Sequence, residues 1–174
     1  MGQVLRPVDV PVALSLSVRP DSTYVELANQ LGISTSTAHG SVERLSFSGL
    51  MRPVSGRRHA VNLPALEEFL YHGVRYAFPV RRERRQRGVP TSHSAPALQQ
   101  ELDSPADPVV WPSPHGNVVG ASIEPLIPAA PELPARYPEL YDLLTLVDGL
   151  RIGTARDRDA SQRLLAQRLE SAAA

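Results

Sequence analysis

Residues 27–53 read LANQLGISTSTAHGSVERLSFSGLMRP, and the fold turns on them. Leu31-Gly32-Ile33 sets a glycine between two apolar residues, at the place where a helix commonly ends in a left-handed turn. Upstream, Thr23 and Glu26 have the spacing of a capping box, in which each side chain satisfies a backbone donor at a helix start. Val25, Leu27, Ala28 and Leu31 are expected to give that helix its buried stripe. Downstream, Ser34 is a natural N-cap for a further helix. In it Ala38, Val42 and Leu45 recur at i, i+4 and i+7 and so share one inward face. Thr35, Ser36, His39, Gly40 and Glu43 fall on the opposite face with Arg44 at its margin, and Ile33 plugs the space between the two helices.

The flanks extend this pattern. VDVPVALSLSV, residues 8–18, fits a preceding helix with Pro11 tolerated in its opening turn; Arg19-Pro20-Asp21 breaks the chain. Met51-Arg52-Pro53-Val54 and His59-Ala60-Val61-Asn62 are two short extended runs joined by Ser55-Gly56-Arg57-Arg58, a turn signal that predicts a hairpin tipped with paired arginines. Pro64 then opens a helix. Its stripe, Leu66, Phe69, Leu70, Gly73, Val74 and Ala77, is strongly amphipathic.

The ordered set resembles the DNA-binding part of bacterial winged helix-turn-helix regulators of the MarR-like and GntR-like kind. It comprises an alanine on the second helix, the Leu-Gly-Ile-Ser turn, a hydroxyl-rich entry to the third helix, Val…Arg-Leu at its end, and Gly-Leu leading into a strand. The resemblance covers about residues 8–78. It implies that the third helix enters the major groove of double-stranded DNA, carrying Ser34, Thr35, Ser36, Thr37, His39 and Gly40. Small hydroxyls and backbone N–H groups there allow close approach to phosphates, and Thr35, Ser36 and His39 are best placed to read base edges. Arg44, with Arg57 and Arg58 of the wing, is expected to neutralise phosphates.

Charge is divided along the chain. Residues 1–88 hold 12 arginines against 7 acids, a net of +5, while residues 89–174 hold 6 against 11, a net of −5. A basic half beside an acidic one is expected where one part meets a polyanion and the other does not. The run Arg81-Arg82-Glu83-Arg84-Arg85-Gln86-Arg87 admits three readings: an extended DNA footprint, contacts to the acidic half, or a solvated linker. Beyond it, Ala95–Leu102 reads as a short helix. Val109-Val110-Trp111 and Val118–Ile123 read as a second hairpin, Trp111 as the anchor of a small core, and Pro125–Pro134 as a surface segment. Leu140, Leu143, Leu144, Val147 and Leu150 predict a helix opened by Pro138. Thr154 and Asp157 cap a last one, with Leu164, Leu165 and Leu169 inward.

The expected fold class is thus mainly α with small β elements (α+β). A winged helix-turn-helix over residues 1–80 precedes an Arg-rich linker and Pro-rich region over 81–134, and C-terminal helices over 135–174 serve dimerisation or partner binding. The 17 prolines lie mostly beyond residue 88, and the absence of cysteine excludes disulfides and thiolate metal sites. No signal peptide or spanning segment is evident, so a cytoplasmic protein without membrane association is expected. His93 and His115 are too isolated for a metal pair. Ser92-His93 makes no triad by adjacency alone, and no Gly-rich phosphate loop occurs. No enzyme activity, metal or cofactor is expected. The functional expectation is a sequence-specific regulator of transcription, a repressor acting as a homodimer. The alternative is an antitoxin or adaptor whose acidic half clasps a partner protein, with DNA binding for autoregulation. A third possibility, a ligand sensor, would use a pocket near Trp111 or between the C-terminal helices.

Overall fold

The computed structural model describes residues 3–55, 57–102 and 107–174; the side chains of Arg57 and Arg58 also lie outside that description. Helix α1 (Asp9–Val18) is buried along nearly its whole length, from Asp9 to Ser17. A helix apolar on every side belongs inside a core, and α1 is the axis around which the others pack, touching α2, α3, α8 and α9. Helices α2 (Tyr24–Leu31) and α3 (Thr35–Phe47) follow the predicted signals closely. Thr23 and Glu26 form the reciprocal capping box, Gly32 takes a left-handed φ of 64°, and the Ser34 hydroxyl accepts from the Thr37 N–H. On α2 the inward residues are Leu27, Ala28 and Leu31, whereas Val25 is 58% exposed. Two residues before Leu27, Val25 is turned roughly 200° around the helix, so the expected stripe loses that member.

Strands β1 (Met51–Val54) and β2 (Arg57–Val61) form the expected antiparallel hairpin, pairing Met51 with Val61 and Arg52 with Ala60. The register shifts between Arg52 and Val54, so Val54 meets Arg57; Gly56 of the predicted turn lies outside the described residues. The next helix is shorter than its stripe predicts. Helix α4 (Leu63–His72) ends before Gly73, whose φ of −118° departs from helical values, and a single turn, α5 (Val74–Ala77), follows. Leu66, Leu70 and Val74 are buried, and Ala77 faces outward.

The region 81–134, expected as an Arg-rich linker and a Pro-rich region with a small β-hairpin, holds three strands. The arginine run leads into strand β3 (Arg85–Pro90), which pairs antiparallel with both β4 (Val109–Pro112) and β5 (Val118–Ser122). The last two pair with each other in parallel, Val109 with Ala121 and Val110 with Ser122, so the three strands close on themselves. The predicted β4–β5 hairpin is therefore wrong in its pairing. The long-range strand β3 takes the antiparallel edges of both. Gly88 is what permits this closure, since a Cβ there would stand 2.1 Å from the Trp111 carbonyl oxygen. Between β3 and β4 lie one 3-10 turn (Ser92–Ser94) and one α-helical turn, α6 (Pro96–Gln99), shorter than the predicted helix. After β5 the Pro-rich stretch holds a 3-10 turn (Ala130–Glu132) and α7 (Leu133–Arg136). It is more than surface, because Leu126, Ile127, Ala130 and Leu133 are buried.

Helix α8 (Pro138–Ile152) and helix α9 (Ala155–Ala173), both expected from the sequence, pack as a helical hairpin, with Thr154 and Asp157 as a second capping box. Leu165 and Leu169 are buried and Leu164 is half-buried. From Leu140 to Leu150 only Asp142 of α8 escapes burial. One hydrophobic core runs from Val10 on α1 to Leu169 on α9 and includes Trp111. Trp111 thus anchors the common core rather than a small one of its own. Its indole Nε1 and the Thr91 hydroxyl both donate to Asp148 Oδ2 at 2.7 Å, and Arg151 donates to Oδ1 at 2.8 Å. A buried carboxylate is tolerable when it is paired and hydrogen-bonded in this way, and Asp148 joins α8 to the three-stranded unit.

Candidate nucleic-acid interface

The turn at Gly32 decides where α3 points. Its inner side buries Ala38, Ser41, Val42 and Leu45. That leaves Ser34, Thr35, Ser36 and His39 exposed and Thr37 and Gly40 half-buried. Six of the residues named from the sequence are thus brought together at the start of one helix. Their hydroxyls are organised locally: Ser34 Oγ lies 2.8 Å from Thr37 Oγ1 and 3.2 Å from Ser36 Oγ. The His39 and Tyr24 rings meet edge to face at 5.2 Å between centroids, and His39 Nδ1 is 3.7 Å from Glu43 Oε2. The small residues leave backbone near the surface, as close approach to an anion requires.

Arg44 is the correction. Its side chain is only 11% exposed and turns inward, where Nε and Nη2 donate to Asp9 at 2.9 and 2.7 Å. The Ser41 hydroxyl donates to the same carboxylate at 2.6 Å, and the Arg6 N–H at 2.7 Å. The hydrogen bond to Asp9 raises the guanidinium pKa above its ordinary value, and the two contacts hold Arg44 against α1 rather than on the outer face of α3. The one charged side chain that remains on the outer face of α3, besides titratable His39, is the acid Glu43.

The hairpin that follows α3 carries three arginines. Arg52 on β1 is exposed, and sequence reasoning passed over it because it sits inside a predicted strand. Arg57 and Arg58 occupy the start of β2, beyond which their side chains lie outside the described residues. Tyr24 was also missed; its only signal was its place next to a capping residue. The Pro-rich segment approaches the other side of the turn. A Cβ on Gly32 would stand 2.8 Å from Ala129 Cβ, yet Ser34, Thr35 and Ser36 stay open.

The arginine run divides among its readings. Arg85 pairs with Asp107 at 3.1 Å and Arg87 donates to the Gly116 carbonyl at 3.3 Å, both within the second half, whereas Arg81, Arg82 and Arg84 are exposed. Among the described residues, no group of three or more His, Asp or Glu is placed to hold a metal ion, and no helix is long and apolar enough to cross a membrane. No family model, curated protein or solved structure matches the chain.

Proposed function

We propose that this chain is a sequence-specific double-stranded DNA-binding regulator of transcription, with α3 as the helix that enters the major groove. One observation carries the reading. Around a chain otherwise packed into a single core, the hydroxyl-rich start of α3 is left open, held by a capped turn on one side and followed by a hairpin on the other. An α-helix fits the major groove, and short polar side chains at its start can meet both phosphates and base edges. With Arg44 withdrawn to Asp9, phosphate neutralisation falls to Arg52, Arg57 and Arg58. Direct readout by Thr35, Ser36 and His39 is then modest, and DNA shape carries part of the specificity.

The repressor reading includes two copies on paired half-sites, typically one helical turn apart. The apolar faces of α8 and α9 are spent inside the chain, so a second copy must engage other surfaces. Sedimentation of the chain with and without DNA decides that point.

The deciding experiment is an electrophoretic shift with DNA from upstream of the chain's own gene, at about 50 and 200 mM salt. The reading expects retardation that weakens steeply with salt and resists competition by unrelated duplex. No retardation at either salt contradicts it.

A further inference from the structure

Two arginines from distant parts of the chain share one aromatic ring. The guanidinium of Arg19, just past the end of α1, lies over Tyr137 at 5.9 Å from the ring centroid, and that of Arg136, at the end of α7, at 5.6 Å. None of the ion pairs among the described residues involves either arginine. Stacking occupies the face of a guanidinium and leaves its N–H donors, which lie in the plane, available at the edge. The ring and both arginines line a cavity of about 160 Å³ between the end of α1, Gln30 of α2 and the start of α8.

The same lining holds further donors. Ser15, 1% exposed, gives its hydroxyl to Gln30 Oε1, so the Gln30 amide nitrogen is left as a donor. Helix α8 starts without a side-chain cap, and Pro138 has no N–H, so the amides of Glu139 and Leu140 have no acceptor inside the helix. The single acid of the lining is Glu139, which is exposed. The other acid near Arg19 is Glu26, whose carboxylate already accepts from Thr23 at the start of α2. We propose that this cavity binds a phosphate dianion, free or as the end of a small phosphomonoester. Two guanidinium charges match a double negative charge. A volume below the few hundred Å³ usual for a drug-sized ligand limits the enclosed part to one small group. Arg19 and Gln30 come from the N-terminal helices and Arg136 and the α8 amides from the C-terminal ones, so an occupant ties the two sets together. None of these residues belongs to the proposed DNA-contacting set, and the inference does not rest on that reading.

The full isotope-labelled chain, without DNA, is titrated at pH about 8, where a phosphomonoester is doubly charged. The probes, at constant ionic strength, are inorganic phosphate, methyl phosphate and dimethyl phosphate, a diester with the single charge of a nucleic-acid link. The Glu139 and Leu140 amide resonances are expected to shift saturably with the first two. The diester is expected to need about ten-fold higher concentration, the worth of one charge-assisted hydrogen bond. Arg19→Gln and Arg136→Gln, both at exposed side chains, are each expected to weaken the phosphate response about ten-fold. Amides unmoved by phosphate, shifts equal to those from chloride at the same ionic strength, an equal response to the diester, or native affinity in the double variant overturns the proposal. The comparison of probes on the native chain decides even where a variant folds poorly. The Thr35 and Ser36 amides report separately on phosphate at the start of α3, so failure at α8 leaves the DNA reading intact.

Discussion

The carboxylate of Asp9 and the guanidinium of Arg44 meet side by side in the interior, Oδ2 accepting from Nε at 2.9 Å and Oδ1 from Nη2 at 2.7 Å. Asp9 is 1% exposed and opens α1; Arg44 sits 35 residues later on α3. The pair therefore sets how the outward helix lies on the central one. Removing one partner of a buried pair leaves the other uncompensated, which typically costs about 3 kcal/mol or more. Arg44→Ala is expected to lower stability by about 3 kcal/mol in urea unfolding, while the salt dependence of DNA binding by the folded fraction is unchanged. A stable variant with a reduced salt slope returns Arg44 to the phosphate-binding set.

Gly32 makes a second, separable contribution. Its φ of 64° is costly for any residue with a Cβ, and that Cβ would press on Ala129 at 2.8 Å. Gly32→Ala is expected to lose about 2 kcal/mol, of which the left-handed conformation accounts for about 1. Combining it with Ala129→Gly recovers the packing share alone, so a double-mutant cycle yields a favourable coupling. Additivity of the two changes contradicts the contact.

The carboxyl of Glu67 on α4 is raised above its ordinary pKa, first by burial and then by the charge of Glu170 on α9. A raised carboxyl pKa means that ionisation opposes folding above that pKa, a penalty absent below the unfolded value of 4.5. Glu67→Gln is expected to raise stability by up to about 0.5 kcal/mol at pH 7. The gain fades as pH falls from the raised pKa toward 4.5. Urea midpoints at pH 7 and pH 4 check it; a gain that grows toward acid reverses the sign.

What the sequence disclosed was what local chemistry encodes. The two capping boxes, the left-handed Gly32 and the Ala38-Val42-Leu45 face were all readable because each rests on residues within two helical turns. The exposed start of α3 followed from them. Arg44 was misread because its partner is distant. The one clue was a lone acid, Asp9, in a run otherwise without charge that buries on every side. The pairing of β4 with β5 was misread for the same reason: β3, which supplies both antiparallel edges, looked from its arginines like linker. Val25 failed on geometry, being apolar but facing away from Leu27 and Leu31.

On the proposed DNA-binding reading, with Arg44 internal, the electrostatic part of binding is assigned to the hairpin. Arg57→Ala with Arg58→Ala is expected to weaken binding to all duplexes alike. The slope of log K against log salt becomes shallower by about 0.9 for each phosphate that the variant no longer neutralises. Anisotropy titrations across a salt series measure this. An unchanged slope removes the hairpin from the footprint.

The most direct trial of the account is to follow backbone amide resonances of the isotope-labelled chain while adding a duplex of about 20 base pairs, enough for two half-sites, from upstream of its gene. The largest changes are expected at Thr35, Ser36, His39 and Gly40, with Gln162 and Glu170 on the outer side of α9 still. Saturable binding that leaves those α3 amides unmoved while another surface responds contradicts it.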